Sequence, residues 1–338
     1  MASRKKNKSK LVTPRKNTRR PTKKSKIIKK TQKQTKKFKN TPCSPLANRF
    51  SKKTCFSKNQ MFKLRDAFNS KHPDAKITSN NPHFIWKQLK KNMQFMCDTE
   101  ACWMKSLLKK YKVDDMNLIW APPQPNTWKV KPNTWLNSLD ICKIMSLYEK
   151  KIPNFKFFGP SPIDFDQTRR GMSECVWKSI CKFKKSPEDF DYLTLLKKQG
   201  KTKFGFIFNT DPHFKGGSHW FSLFVSVEPN NSYICYFDSV GQKEIPKNIQ
   251  TLIDNILKHA KYNKINLPVY NNCGIDHQKT DTECGMYSLY FVIYNINNNL
   301  NEVKSHFLNK NKLIPDINMK TLRNIYYSKH NYLNNSDN

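Results

Sequence analysis

A chain of 338 residues with 62 Lys and Arg against 25 Asp and Glu carries a formal charge of +37, while 37% of its residues are hydrophobic. That composition supports a packed core plus an accessory region and argues against an acidic or purely disordered protein. The Lys-rich start is followed by no apolar stretch, so no secretory signal is expected. The longest apolar run, near 286–296, is too short and too interrupted to span a bilayer, so no membrane partner is expected either.

Residues 1–40 hold 18 Lys and Arg and no Asp or Glu. Such a segment cannot bury enough apolar area to offset the entropy of ordering, so 1–42 reads as a disordered basic tail. A polycation neutralises phosphates without reading bases, which implies salt-sensitive association with DNA or RNA. A solubilising tail or a nuclear localisation signal fits the same composition. Taking those 18 charges from +37 leaves +19 on the other 298 residues, a basic body suited to an acidic setting such as a genome-packed particle.

The region 43–125 reads as a helical accessory arm. After Asn80-Asn81-Pro82, apolar residues recur at Phe84, Ile85, Trp86, Leu89, Met93 and Met96, then at Cys102, Trp103, Leu107 and Leu108. Cys102 and Trp103 are expected in its core. Pro122-Pro123-Gln124-Pro125 breaks the chain and marks the start of a second domain, 126–338.

In that second domain helices and strands alternate. Ser138 to Glu149 reads as a helix and Lys203 to Asn209 as a strand. From Ser218 to Glu228 the period is two, with His219, Phe221, Leu223, Val225 and Val227 on the buried side and Ser218, Ser222, Ser226 and Glu228 on the other. Ser232 to Phe237 is a second such run and ends at Asp238. Ile245, Ile249, Leu252, Ile253, Ile256, Leu257 and Ala260 trace one face of an amphipathic helix. Leu267 to Tyr270 reads as a last strand, and Met286 to Ile293 as a buried helix capped by Asp281-Thr282. Beyond Ile296 a short helical coda ends loosely at Leu333 to Asn338. The order predicts an α+β domain with a central mixed sheet flanked by helices.

Four side chains in this domain carry chemistry. His219 follows Gly216-Gly217-Ser218, Asp238 comes 19 positions later, and Gln278 precedes Cys284 by five intervening residues. Together they supply a base, a carboxylate to orient it, an amide donor and a thiol at the start of a helix, the parts of a cysteine hydrolase. Taken singly, each is a common structural residue. His277 is a rival base, but no carboxylate-bearing strand follows it. Gly216-Gly217 is read as a turn rather than a self-cleavage site. The ten cysteines contain no C-x2-C pair and no zinc-finger spacing, so no metal or other cofactor is expected, and free thiols suit a reducing compartment.

His219-Trp220, an acidic residue after the next strand, and Gln278-x5-Cys284-Gly285 resemble the pattern of the SUMO-deconjugating and adenovirus-type cysteine proteases. The spacing is most similar to the polyprotein-processing proteases of large cytoplasmic DNA viruses, of the asfarvirus and giant-virus type. Trp135 to Ile141 is similar to the segment that opens such domains, and Gly159 to Phe165 to one in the viral branch. The resemblance spans about Asn126 to Tyr294. It implies a papain-like, adenain-like core with His219 as base, Asp238 as its partner, Gln278 as oxyanion donor and Cys284 as nucleophile. Glu283 stands where cellular members usually carry Asp.

The resemblance also implies cleavage after a Gly-Gly element threading a narrow tunnel, with Trp135 and Trp220 as its walls. Its expected substrates are viral structural polyproteins, and its expected places are the cytoplasmic viral factory and the virion. Two other readings stay open: a SUMO or ubiquitin-like deconjugase, and a non-catalytic nucleic-acid-binding virion protein on a protease scaffold. Nothing in the sequence fixes an oligomeric state.

Overall fold

A computed structural model describes residues 37–40, 42–108, 116–168 and 174–329. The basic stretch 1–36 and the coda's end at 333–338 lie outside the described residues. Within the segment read as tail, Phe38 packs 5.3 Å from the Trp103 ring, and Lys39 N–H donates to the Asp98 carbonyl at 2.6 Å. Residues 38 and 39 therefore pack on the accessory region.

Three helices follow: α1 (Lys58–Lys71), α2 (Pro82–Met93) and α3 (Glu100–Leu107). Ser57 and Gln60 form a reciprocal capping box on α1, and Thr99 caps α3, which satisfies amides that a helix start leaves bare. The helices enclose a cluster of their own, with Phe56, Leu64, Ile85, Leu89, Trp103 and Trp120 at its centre. The proline segment after them is not a free linker. Ser328 N–H donates to the Pro122 carbonyl, and Gln124 N–H donates back to Ser328.

The rest is built on five strands in chain order: β1 (Phe155–Pro162), β2 (Lys203–Asn209), β3 (Trp220–Glu228), β4 (Asn231–Phe237) and β5 (Val269–Asn271). The outer pairs β1–β2 and β4–β5 are parallel, and the inner ones antiparallel. Helix α4 (Ser138–Lys151) precedes β1, and the short α5 (Lys178–Cys181) and α6 (Tyr192–Lys198) fill the crossover to β2. Helix α7 (Lys247–Tyr262) links β4 to β5. Helices α8 (Cys284–Asn297), α9 (Leu300–Phe307) and α10 (Asp316–Tyr326) complete the described chain. The expected α+β fold with a mixed sheet flanked by helices is what the chain forms.

Both sheet faces are covered, which corrects the reading of β3 as polar on one side. Phe221, Leu223 and Val225 join α6 and α7 in one core, while Trp220 and Phe224 join α4 and α8 in the other. Ser222 and Ser226 are fully buried between them. Small residues there let α8 lie close: a Cβ at Gly205 would fall 2.6 Å from Val292 of that helix. Ser222 Oγ donates to the Ser288 carbonyl at 3.4 Å.

Two further readings are corrected. The last strand is Val269–Asn271 rather than Leu267 to Tyr270. Six cysteines pair as Cys43–Cys55, Cys97–Cys102 and Cys175–Cys181, leaving Cys142, Cys235, Cys273 and Cys284 as thiols. These bridges close loops of 12, 5 and 6 residues, local closures that a search for a regular cysteine framework passes over. Cys102 packs against the core as expected, but as a bridge partner of Cys97.

Candidate active site

A tight hairpin sets the geometry. Glu228 pairs with Asn231, and Asn230 takes the left-handed conformation that a two-residue turn requires, with φ of 62°. The resulting register places Ser222 opposite Phe237, so the start of β3 and the end of β4 lie side by side. His219 stands just before β3 and Asp238 just after β4. Imidazole Nε2 lies 2.7 Å from Asp238 Oδ1.

Asp238 is 1% exposed and held on all sides. Val240 N–H donates to the same Oδ1 at 3.1 Å. The buried Asn272 brackets its backbone, accepting from Asp238 N–H at 2.8 Å and donating Nδ2 to the Asp238 carbonyl at 2.6 Å. Asn272 was not singled out in the sequence, where it is one of many asparagines; only the contact reveals it.

Cys284 also acts on the ring, and with Nε2 committed to the carboxylate Nδ1 is the nitrogen left for it. Burial disfavours the charged ring, but the hydrogen bonds and charges of Asp238 and Cys284 outweigh it and raise the His219 pKa from 6.5 to about 10. The arrangement can keep the proton on the ring beside the sulfur.

Cys284 is the first residue of α8, where backbone N–H groups lack helical partners and the dipole favours an anion. The cap residue is Glu283, not Asp281 or Thr282, and its side chain does not cap. Glu283 is instead fully buried against Arg323 of α10, whose Nε donates to its carboxylate at 2.8 Å. Arg323 also donates to the carbonyls of Thr282 and Thr134, each at 2.9 Å. The sequence reading missed it. It is the only arginine beyond position 170, in a region that otherwise uses lysine, which was the available signal.

Gln278 is anchored by the turn that carries Asp238. Its Oε1 accepts from Ser239 Oγ at 2.8 Å, and its backbone N–H donates to the Ser239 carbonyl at 2.9 Å. The Thr280 carbonyl, which can only accept, fixes which end of the amide is nitrogen. Nε2 spends one hydrogen on the Thr280 carbonyl and keeps a second for another acceptor.

His277 is removed as a base by its own bonds. Its Nδ1 accepts from Ile314 N–H at 3.0 Å and its Nε2 faces the Phe307 carbonyl at 3.0 Å. That describes a neutral tautomer with no lone pair left for a proton. Burial lowers its pKa accordingly.

The two tryptophans differ. Trp220 is 8% exposed, donates Nε1 to the Leu136 carbonyl at 2.9 Å and packs over Gly285. Trp135 is 46% exposed and donates to the Asp281 carbonyl at 2.6 Å, so its face is open beside the loop before Cys284. Among the described residues no group of three or more His, Cys, Asp or Glu could hold a metal ion, and no helix is long and apolar enough to cross a membrane.

Residues 206–335 match the Ulp1 protease family, C-terminal catalytic domain. A protein of Acanthamoeba polyphaga mimivirus named as a thiol protease is 30% identical over 272 residues, covering 74% of this chain and 83% of that protein. A cysteine protease of African swine fever virus is 25% identical over 219 residues, covering 62% of this chain and 77% of that protein. The crystal structure of the African swine fever virus protease shares the fold, with a TM-score of 0.54 at 19% identity over 85% of this chain and 95% of that one. The length and identity of the mimivirus match settle the assignment: this chain belongs to the Ulp1 family of cysteine proteases.

Proposed function

We propose that the chain is a viral cysteine endopeptidase in which Cys284 attacks a peptide carbonyl, His219 holds and returns the proton, and Asp238 orients the ring. The observation that carries this reading is the His219 imidazole 2.7 Å from the buried Asp238 carboxylate, with Cys284, the first residue of a helix, acting on the same ring. Attack forms the C–S bond as the carbonyl π pair moves to oxygen. The spare Gln278 N–H and the unpartnered amides at the start of α8 stabilise that oxyanion. Collapse expels the amine, which takes the imidazolium proton. Water, deprotonated by His219, then hydrolyses the acyl-enzyme.

The substrate is proposed to be a structural polyprotein cut after Gly-Gly during virion maturation, with Trp135 as the open wall of the cleft and Trp220 as the packed support behind it. The viral relatives support this placement, as does the basic body of the chain. Residues 1–42 are proposed to bind nucleic acid and 43–125 to act as an arm beside the catalytic domain 126–338. Action in the cytoplasmic viral factory and the virion belongs to the same proposal; the three disulfides run against the expectation of free thiols in a reducing compartment, and non-reducing gels of infected cytoplasm and of particles would show where they form. A deconjugase is the second reading, favoured by the name SUMO-1 cysteine protease borne by some of the swine fever virus relatives.

Purified protein offered Gly-Gly peptides and SUMO or ubiquitin conjugates separates these readings. Cleavage of the peptides alone supports the endopeptidase, and release of intact modifier supports the deconjugase. Cys284→Ala should abolish either activity while leaving salt-dependent DNA binding unchanged. Residual cleavage by that variant at the wild-type rate refutes the nucleophile.

A further inference from the structure

Arg323 touches none of the reacting groups, yet its side chain joins two separate stretches of the active-site wall. Nε reaches the carboxylate of Glu283, Nη2 the carbonyl of Thr282 and Nη1 the carbonyl of Thr134. Its guanidinium carbon lies 4.3 Å over the Trp128 ring, whose own Nε1 donates to the same Thr134 carbonyl at 3.1 Å. Thr134 precedes the open wall residue Trp135, and Glu283 precedes Cys284. The arginine is 4% exposed and the glutamate 0%, so solvent can replace neither.

The planar fork meets a carboxylate and two carbonyls from three different nitrogens, a spread that an ammonium, with all its protons on one nitrogen, does not match. The loop 279–283 is further tied to the same wall by Trp135 Nε1 on the Asp281 carbonyl. Two independent links therefore fix the spacing between the Trp135 wall and the nucleophile's N-terminal approach. We propose that Arg323 is a positioning residue: its clamp on Glu283, Thr282 and Thr134 holds the sulfur and the oxyanion loop in the attacking geometry and so governs turnover rather than substrate affinity. The proposal rests on Cys284 being the nucleophile.

The test uses the full chain, a fluorogenic Gly-Gly peptide and a thiol-directed alkylating agent that counts competent Cys284 sites. Arg323→Lys keeps the charge beside Glu283 and loses the fork. Its kcat per labelled site should fall about 100-fold, the cost of a misplacement near 1 Å, with KM changed less than about threefold. Glu283→Gln keeps an acceptor for Nε but removes the charge that orders it, and should lose about tenfold. A kcat per labelled site equal to wild type in Arg323→Lys means the residue serves only folding and overturns the proposal. Should that variant fail to fold, Glu283→Gln decides, and an unchanged kcat per labelled site overturns it. A wild type whose activity survives complete labelling of Cys284 refutes the nucleophile reading itself, a result visible before any Arg323 variant is compared.

Discussion

The two halves of the active site are held by different means. His219 and Asp238 sit at the open end of a tight hairpin, where strand register alone brings them together. Cys284 and Gln278 hang on the loop 272–283, which has no regular structure of its own beyond its ends. That loop takes its shape from distant groups: Ser239 on Gln278, Trp135 on Asp281, and Arg323 on Thr282 and Glu283. A local pairing rule builds one half, and long-range polar contacts build the other. Changes in the hairpin half should therefore act on charge and proton affinity, and changes in the loop half on position.

The largest expected effect after loss of the thiol is in the hairpin half. Asp238→Asn leaves the shape and removes the charge, and should lower kcat by up to about 10⁴ in single-turnover assays. The carboxylate raises the His219 pKa, so its loss should also move the alkaline limb of kcat/KM to lower pH. The same shift has a stability signature. A pKa raised from 6.5 to about 10 gives stability that is complete below 6.5 and lost as pH climbs through about 10, so wild type should lose more stability than Asp238→Asn between those limits in denaturant titrations.

Next comes the loop half. Gln278→Ala removes the proposed oxyanion donor and should cost about 10²–10³ in kcat with little change in the pH profile. A shifted pH profile there would blur the division between the halves. Gly205→Ala tests the floor that both share. Its methyl would meet Val292 at 2.6 Å, and the clash should cost about 1–3 kcal/mol by chemical denaturation, with a smaller fall in kcat as α8 moves off the sheet. The smallest effect is expected at Trp135→Phe, which keeps the open aromatic wall but drops the bond to Asp281; KM should rise by less than about tenfold in peptide assays.

The hairpin half was legible in the sequence because period-two patterning fixes strands, and strands joined by a short turn fix their ends. The helix bearing Cys284 was legible for a similar reason, as an apolar run behind a polar start. Its cap was not, since Thr282 and Glu283 both follow the composition of a helix start and only the buried Arg323 decides between them. Strand β1 was hidden by Gly159, Pro160 and Pro162, residues that ordinarily argue against a strand. The C-terminal coda looked peripheral, although through Arg323, Tyr287 and Ile314 it braces the helix that bears Cys284. Such contacts lie between residues tens to hundreds of positions apart, and no local pattern announces them.

Proton placement on His219 is the point on which the chemistry turns, and ring-labelled histidine NMR reads it directly in the full chain. The account predicts an imidazolium that persists through neutral pH and titrates near 10, with Cys284→Ala lowering that midpoint by removing a hydrogen bond and a charge. A ring that titrates at or below 6.5 and ignores Cys284→Ala would contradict it.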